Sequence, residues 1–104
     1  MRKILLASFA IVALAAMQSG AALADSYAAA CAARKGVPVS ECTCEGQIAA
    51  SVLDKTQLQA AILALRGKQA RFKAMVAKMG PAKAEAFSGK MDEVGRRAEA
   101  ACPQ

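Results

Sequence analysis

Apolar residues recur every three or four positions along the C-terminal half of the chain, in two runs that meet at Met79, Gly80 and Pro81. Residues at this spacing share one face of a helix, so each run predicts a helix with an apolar stripe. Glycine can adopt the left-handed conformation that ends a helix, and proline suits the first turn of the next one. The pattern therefore predicts an antiparallel hairpin of two long helices, over about 55–79 and 81–101.

The turn sets which residues of the two helices face one another. It places Phe72 between Phe87 and Met91, and it places Leu58 beside Ala101 and Cys102. Gly67 falls inside the first helix, where glycine is unfavourable by about 1 kcal/mol relative to alanine. The seven-residue spacing passes through Gly67 unshifted, so we favour a helix that continues through it over the alternative of a helix broken in two there.

Two shorter helices are predicted before the hairpin. The first starts near Asp25, since Asp25 or Ser26 can cap it, and ends at Gly36. The second starts at Ser40 as its expected cap. Asp54 and Gln57 have the spacing of a capping box and mark the start of the hairpin. The predicted fold class is all-α: a small disulfide-stapled bundle built on one long hairpin with two short helices before it.

The start of the chain has the three parts of a secretory signal peptide. Arg2 and Lys3 form a basic start, an apolar run extends to Met17, and small residues at Ala22 and Ala24 suit signal peptidase. The apolar run is shorter than the roughly 20 residues that a membrane-spanning helix needs. We therefore expect residues 1–24 to be removed, residues 25–104 to form one domain, and the product to be periplasmic or secreted.

Four cysteines in an exported chain of this length are typical of two disulfides that compensate for a small core. Cys44 shares a helix face with apolar residues, and Cys102 ends the hairpin. We therefore favour Cys44 with Cys102 and Cys31 with Cys42, with the crossed pairing as the alternative. A bond between Cys42 and Cys44 would close a very small, strained ring. A redox or copper site at Cys42 and Cys44 is the competing interpretation.

The composition argues against the common kinds of active site. The chain has no histidine, which excludes histidine-based catalytic triads, the haem-attachment signature and histidine-containing zinc sites. No glycine-rich phosphate loop is present. Met75, Met79 and Met91 fit packing better than a thioether metal site. We expect no enzymatic activity, no catalytic residue, no metal and no cofactor.

The charge of the chain indicates the kind of partner it attracts. After removal of residues 1–24, 12 Lys and Arg remain against 8 Asp and Glu. Most of these cations fall off the apolar stripes, on the solvated side of the helices. They favour an acidic protein or weak contact with an anionic membrane surface. Nucleic acid is disfavoured, because an exported chain with few aromatic residues offers little base stacking.

Part of the hairpin is expected to remain uncovered, because the two short helices contribute few large apolar side chains. Contiguous apolar surface on a soluble protein commonly marks an interaction site. The expected partner surface consists of three apolar residues with a basic rim: Phe72, Met75, Met79, Arg71, Lys78 and Lys83.

In size, export signal and helical content the chain is similar to small exported helical proteins of bacteria, including the acid-stress chaperones of the periplasm. The similarity includes no motif, so no residue role follows from it. The predicted function is a non-enzymatic, chaperone-like or interaction protein that binds an envelope protein or a second copy of itself. The alternative is a periplasmic copper or thiol-redox protein that uses Cys42 and Cys44.

Overall fold

The structure, a computed structural model, describes residues 21–34 and 36–103 of the chain. The described residues form five helices and no strand, which confirms the predicted all-α class. The first twenty residues of the expected signal peptide lie outside the described residues. The helices are α1 over 21–32, α2 over Val39–Val52, α3 over Lys55–Leu65, α4 over Gln69–Met79 and α5 over Pro81–Ala101.

The connection between α1 and α2 follows the expected turn chemistry, with one correction. Gly36 has a φ of 84°, the left-handed conformation that an L side chain rarely adopts. Helix α2 then begins at Val39 after an extended Pro38, and no side chain caps it. The prediction of Ser40 as the cap is wrong, because Ser40 lies inside the first turn and no longer precedes the helix.

Helix α3 starts with the predicted capping box. The backbone N–H of Gln57 donates to Asp54 Oδ1 at 2.8 Å, and the backbone N–H of Asp54 donates to Gln57 Oε1 at 3.0 Å. Two backbone donors that the helix itself cannot pair are satisfied in this way. The start of α3 is therefore fixed by four consecutive residues of sequence.

The expected continuous helix over 55–79 is wrong, because the chain turns sharply at Gly67. Gly67 has a φ of 72°. The N–H of Lys68 donates to the carbonyl of Leu63 at 2.9 Å, and the N–H of Gly67 donates to the carbonyl of Ala64 at 3.1 Å. This pair of bonds is a Schellman motif, which satisfies the last carbonyls of a helix through a left-handed glycine. Two short helices, α3 and α4, replace the predicted long one.

The turn at Gly67 folds the chain back so that α3 packs along α4. The residues of α3 therefore have different neighbours from those expected for one straight helix over 55–79. Leu58 was expected beside Cys102, but the adjacent Gln57 accepts a hydrogen bond from Lys90 Nζ at 3.3 Å. Lys90 and Cys102 are separated by about 18 Å along a helix, at 1.5 Å per residue. The register calculated from one straight helix is therefore wrong beyond Gly67.

The second predicted turn is confirmed. Gly80 has a φ of 85° and Pro81 is the first residue of α5. Helix α5 packs against α4 beyond this turn, and the Phe72 and Phe87 rings lie with centroids 6.4 Å apart and planes tilted by 52°. This tilted arrangement is among those that aromatic pairs prefer. Register near the turn was therefore correctly predicted.

The core lies where α1, α2, α3 and α5 meet. Tyr27, Leu58 and Val94 are each almost completely buried, and α2 packs on α5 while α3 packs on α4. Helix α4 contains no buried residue and covers one side of this core. No helix among the described residues has both the length and the apolar character that crossing a bilayer requires.

Candidate functional site

Helix α4 is the part of the described chain with the least burial and the largest amount of half-covered apolar surface. Phe72, Met75, Val76 and Met79 lie on one stripe of α4 and pack only partly against the core. Residues three, four and seven positions apart share a helix face, so these side chains form a continuous strip. A partner could cover this strip without any change in the fold.

The segment of sequence that contains α4 carries only positive charge. From Lys55 to Ala84 the chain carries seven Lys or Arg and no Asp or Glu. All eight acidic residues lie before or after this segment, which comprises α3, α4 and the start of α5. Such segregation produces a local positive potential that attracts anionic surfaces and accelerates encounter with them. The single ion pair within the described residues, Arg97 with Glu93 at 2.9 Å, lies on α5 outside this segment.

The structure brings most of the six predicted partner-surface residues together. Met75, Met79, Lys78 and Lys83 line one groove with the start of α3. Arg71 lies beside Met75, Lys78 and Leu63 in a neighbouring shallow depression. We call these five predicted residues, Arg71, Met75, Lys78, Met79 and Lys83, the α4 surface.

Phe72, the sixth predicted residue, faces a different groove. That groove lies between α3, α4 and α5 and has a volume of about 610 Å³. Its lining is apolar except for Ser88 and Arg34, which projects to it from the connection after α1. We call it the Arg34 groove, and its lining residues are Arg34, Ala61, Ala64, Leu65, Phe72, Val76, Ala84, Phe87, Ser88 and Met91.

The four cysteines form two disulfides in the pairing that the helix faces favoured. Cys31 bonds to Cys42 with 5.5 Å between Cα atoms, and Cys44 bonds to Cys102 with 5.6 Å between Cα atoms. The first bond joins α1 to α2, and the second joins α2 to the end of α5. Disulfides persist in oxidising compartments, so this pairing indicates a location outside the cytoplasm.

The disulfides also bear on the competing redox or copper interpretation. Cys42 is completely buried and bonded to Cys31, and Cys44 is bonded to Cys102. The thiolate is the form that attacks disulfides or binds soft metals, and neither residue is a thiol in this state. No free cysteine and no cluster of three potential metal ligands occurs in residues 21–34 and 36–103.

A polar pair of buried Tyr27 and half-buried Glu45 lies next to the first disulfide. Burial raises the pKa of the Tyr27 phenol well above its usual value, and the charge of Glu45 and a hydrogen bond to Glu45 raise it further. Glu45 Oε2 also lies 3.6 Å from Cys31 Sγ. That sulfur has no proton to donate because it belongs to a disulfide, so this is a contact and not a hydrogen bond. The pair links α1 to α2 beside the disulfide.

Sequence reasoning missed three contributions to this region. Tyr27 and Glu45 were not paired, and no local pattern joins residues so far apart. Gly46 carries no local signal beyond the low helix propensity of glycine, but a Cβ there would lie 2.8 Å from the carbonyl oxygen of Ala24. Glycine therefore permits close packing of α1 on α2. The local sequence marks Arg34 only as a positive charge near the end of α1, and it gives no indication that Arg34 reaches a groove between α3, α4 and α5.

Comparison with known proteins adds no further assignment to these surfaces. No family model matches the chain, and neither a curated protein nor a solved structure does. The candidate site consequently rests on its own geometry and charge: a peripheral cationic helix with a half-covered apolar strip, beside a scaffold held by two disulfides.

Proposed function

We propose that this chain is an exported, non-enzymatic binding protein whose α4 surface contacts an acidic protein of the bacterial envelope. The observation that carries the proposal is the combination of half-covered methionines with unbroken positive charge on a helix that buries no residue. Methionine is flexible and polarisable, so it adapts to partners of different shape. This property suits a chaperone-like or interaction protein.

Export by a cleaved signal peptide is part of this proposal. It is supported by the basic, apolar and small-residue regions of residues 1–24 and by two disulfides that require an oxidising compartment. The periplasm is the proposed destination. The intact mass of protein from the envelope fraction should correspond to Asp25–Gln104, and a major species that retains residues 1–24 would refute cleavage.

Charge favours a different protein over a second copy of this chain. Two α4 surfaces brought face to face would juxtapose Arg71, Lys78 and Lys83 of each copy. The carboxylate that lines the groove of this surface, Asp54, already accepts a hydrogen bond from the backbone of Gln57. Juxtaposition of like charges is unfavourable. A partner with Asp or Glu around an apolar centre would instead cover the methionines and neutralise their basic rim.

The test is crosslinking in intact cells followed by purification of the disulfide-bonded protein and its captured partner. Substituting Met75→Glu and Met79→Glu places two like charges against an acidic partner and removes apolar contact, so capture should be lost. Because neither methionine is buried, helicity by circular dichroism should be unchanged. Rising ionic strength should weaken capture by the unaltered protein.

A matched control is available on α2. Thr43→Glu with Gln47→Glu introduces the same charge at the same four-residue spacing, on exposed positions away from α4. This variant should capture the partner as well as the unaltered protein does. Equal capture by the two variants would refute the α4 surface, and Cu(I) binding by two free thiols without protein capture would replace the proposal with the metal interpretation.

A further inference from the structure

The Arg34 groove is a space that the protein's own side chains do not fill. Helices α3 and α5 both pack against α4, and the residues that line the gap from them include Ala61, Ala64 and Ala84. Protein interiors are normally packed without large voids, and alanine is too small to span this gap. The result is an open apolar groove of about 610 Å³, within the size range of ligand sites.

The polar groups of the groove restrict which ligand would fit. Its lining carries one charged residue, Arg34, and one hydroxyl, Ser88, while the remaining lining residues are apolar. Arg34 forms no ion pair with a carboxylate within the described chain. A guanidinium pairs well with carboxylate or phosphate oxygens, because its donors match their geometry.

The backbone of Arg34 is held by the scaffold, and its side chain is exposed. Its backbone N–H donates to the carbonyl of Cys31 at 3.0 Å, and Cys31 is held by its disulfide to Cys42. The guanidinium therefore extends from a constrained turn at the end of α1. An arginine placed in this way provides one anion contact at the border of an apolar surface.

We propose that the Arg34 groove binds a single-chain amphiphile with an anionic head, the apolar chain lying along Phe72 and Phe87 and the head pairing with Arg34. The ring pair offers a wide apolar contact, and burial of the chain supplies the main driving force. Such a ligand is a fatty carboxylate or an alkyl phosphate. This site is separate from the α4 surface and does not depend on the proposed protein partner.

The test titrates the oxidised protein with dodecanoate and with dodecyl phosphate, both below their micelle concentrations, by calorimetry and by backbone amide NMR. Dodecanol and dodecyltrimethylammonium are the neutral and cationic comparisons. Saturable 1:1 binding of an anion, with shifts at Ala64, Val76 and Met91, supports the groove. The preferred anion tells whether the head is a carboxylate or a phosphate. Equal affinity for all four compounds, or no saturable binding, would overturn the proposal.

Three variants locate the site. Arg34→Gln should weaken anion binding about fivefold, the size of a partly exposed charge pair, while leaving dodecanol binding unchanged. Arg97→Gln removes an arginine from the surface of α5 and should have no effect. Ala64→Phe should fill the groove and weaken every amphiphile, provided that circular dichroism shows the unaltered helix content.

Other occupants of the groove give different results. If a second copy of the chain covers it, the same amide shifts appear on concentrating the protein without amphiphile, and the proposal fails. The Met75→Glu and Met79→Glu variant should still bind dodecanoate, and Arg34→Gln should still capture the envelope partner. Failure of either proposal is therefore distinguishable from failure of the other.

Discussion

The two ends of this molecule are stabilised in different ways. At one end, α1, α2 and the end of α5 are joined by both disulfides, and Gly46 allows α1 to approach α2 closely. At the other end, α4 has no disulfide and no buried residue, and it is connected through left-handed glycines at 67 and 80. We call the first region the stapled end.

The charges divide along the same boundary. The segment from Lys55 to Ala84 is purely cationic, whereas the remaining described residues mix both signs. A chain of this size has little apolar material, so its core is at the limit of what holds a fold together. Concentrating covalent links at one end allows the other end to keep apolar and charged side chains available for contact. The covalent links therefore lie in one region, and the proposed binding surface lies in the other.

Removal of the disulfides should lower the free energy of unfolding more than any other change described below. On the chain-entropy model, the Cys44–Cys102 bond with a sequence separation of 58 contributes about 4 kcal/mol, and the Cys31–Cys42 bond with a separation of 11 contributes about 3 kcal/mol. Small domains are stable by only about 5–15 kcal/mol, so reduction of both bonds should leave the chain largely unfolded.

Thermal melts with and without reductant measure this effect. Paired substitutions separate the two bonds, and Cys44→Ala with Cys102→Ala should lower the melting temperature more than Cys31→Ala with Cys42→Ala. A melting temperature that does not move after verified reduction would show that the stapled end is held by packing alone.

The next largest effect is a difference in amide hydrogen exchange between α4 and α2 in the oxidised protein. Elements with few buried contacts open locally, so the amides of α4 should exchange at least about tenfold faster than those of α2, after correction for sequence. Exchange of α2 should occur only through global unfolding. If α4 were protected as strongly as α2, the two regions would unfold as one unit and the comparison would fail.

The sequence predicted contacts near the turns better than contacts far from them. Phe72 and Phe87 are close to the turn at Gly80, so an error in helix length hardly changed their register. Gly67 carries the same local signal as Gly80, a glycine after a helix, but the apolar stripe continues beyond it. Stripe spacing shows which side of a helix is covered, and it does not show which helix covers it.

The same limit applies to the candidate site. Arg71, Met75, Lys78, Met79 and Lys83 could be selected because their types and spacing are local properties. The Arg34 groove could not be predicted, because it arises from the gap between α3 and α5 after the chain folds back. Contacts between distant elements depend on the tertiary packing and leave no periodic trace in the sequence.

A pair of glycine substitutions tests the close packing at the stapled end. Gly46→Ala would place Cβ 2.8 Å from the backbone oxygen of Ala24, so we expect it to destabilise the chain that retains Ala24 by about 1–3 kcal/mol. Gly89→Ala on α5 meets nothing within 4 Å and should stabilise by about 0.5–1 kcal/mol through helix propensity. Urea denaturation measures both.

The destabilisation caused by Gly46→Ala should also depend on the proposed cleavage after Ala24. In a chain that begins at Asp25 the carbonyl of Ala24 is absent, and the remaining close atoms, on Ala28, lie 3.4 Å from the added Cβ. The cost of Gly46→Ala should therefore be smaller in that chain. Equal costs in the two chains would show that the packing at Gly46 does not depend on Ala24.

The last expected effect is an alkaline loss of stability from Tyr27. Its pKa is raised above the usual value in the folded chain, chiefly by burial, so the folded state favours the neutral phenol. Unfolded Tyr27 ionises near pH 10, so this stability is complete below about pH 10 and is lost as pH rises further, at up to about 1.4 kcal/mol per pH unit.

Tyr27 is the only tyrosine, so near-ultraviolet tyrosinate absorbance reports it alone. Urea denaturation of the unaltered protein should weaken from about pH 9 to about pH 11, and Tyr27→Phe should remove most of that dependence. Because Tyr27 lies at the stapled end, loss of this stability should expose the amides of α1 and α2 to hydrogen exchange together. Faster exchange confined to α4 would show that Tyr27 does not cause the alkaline transition.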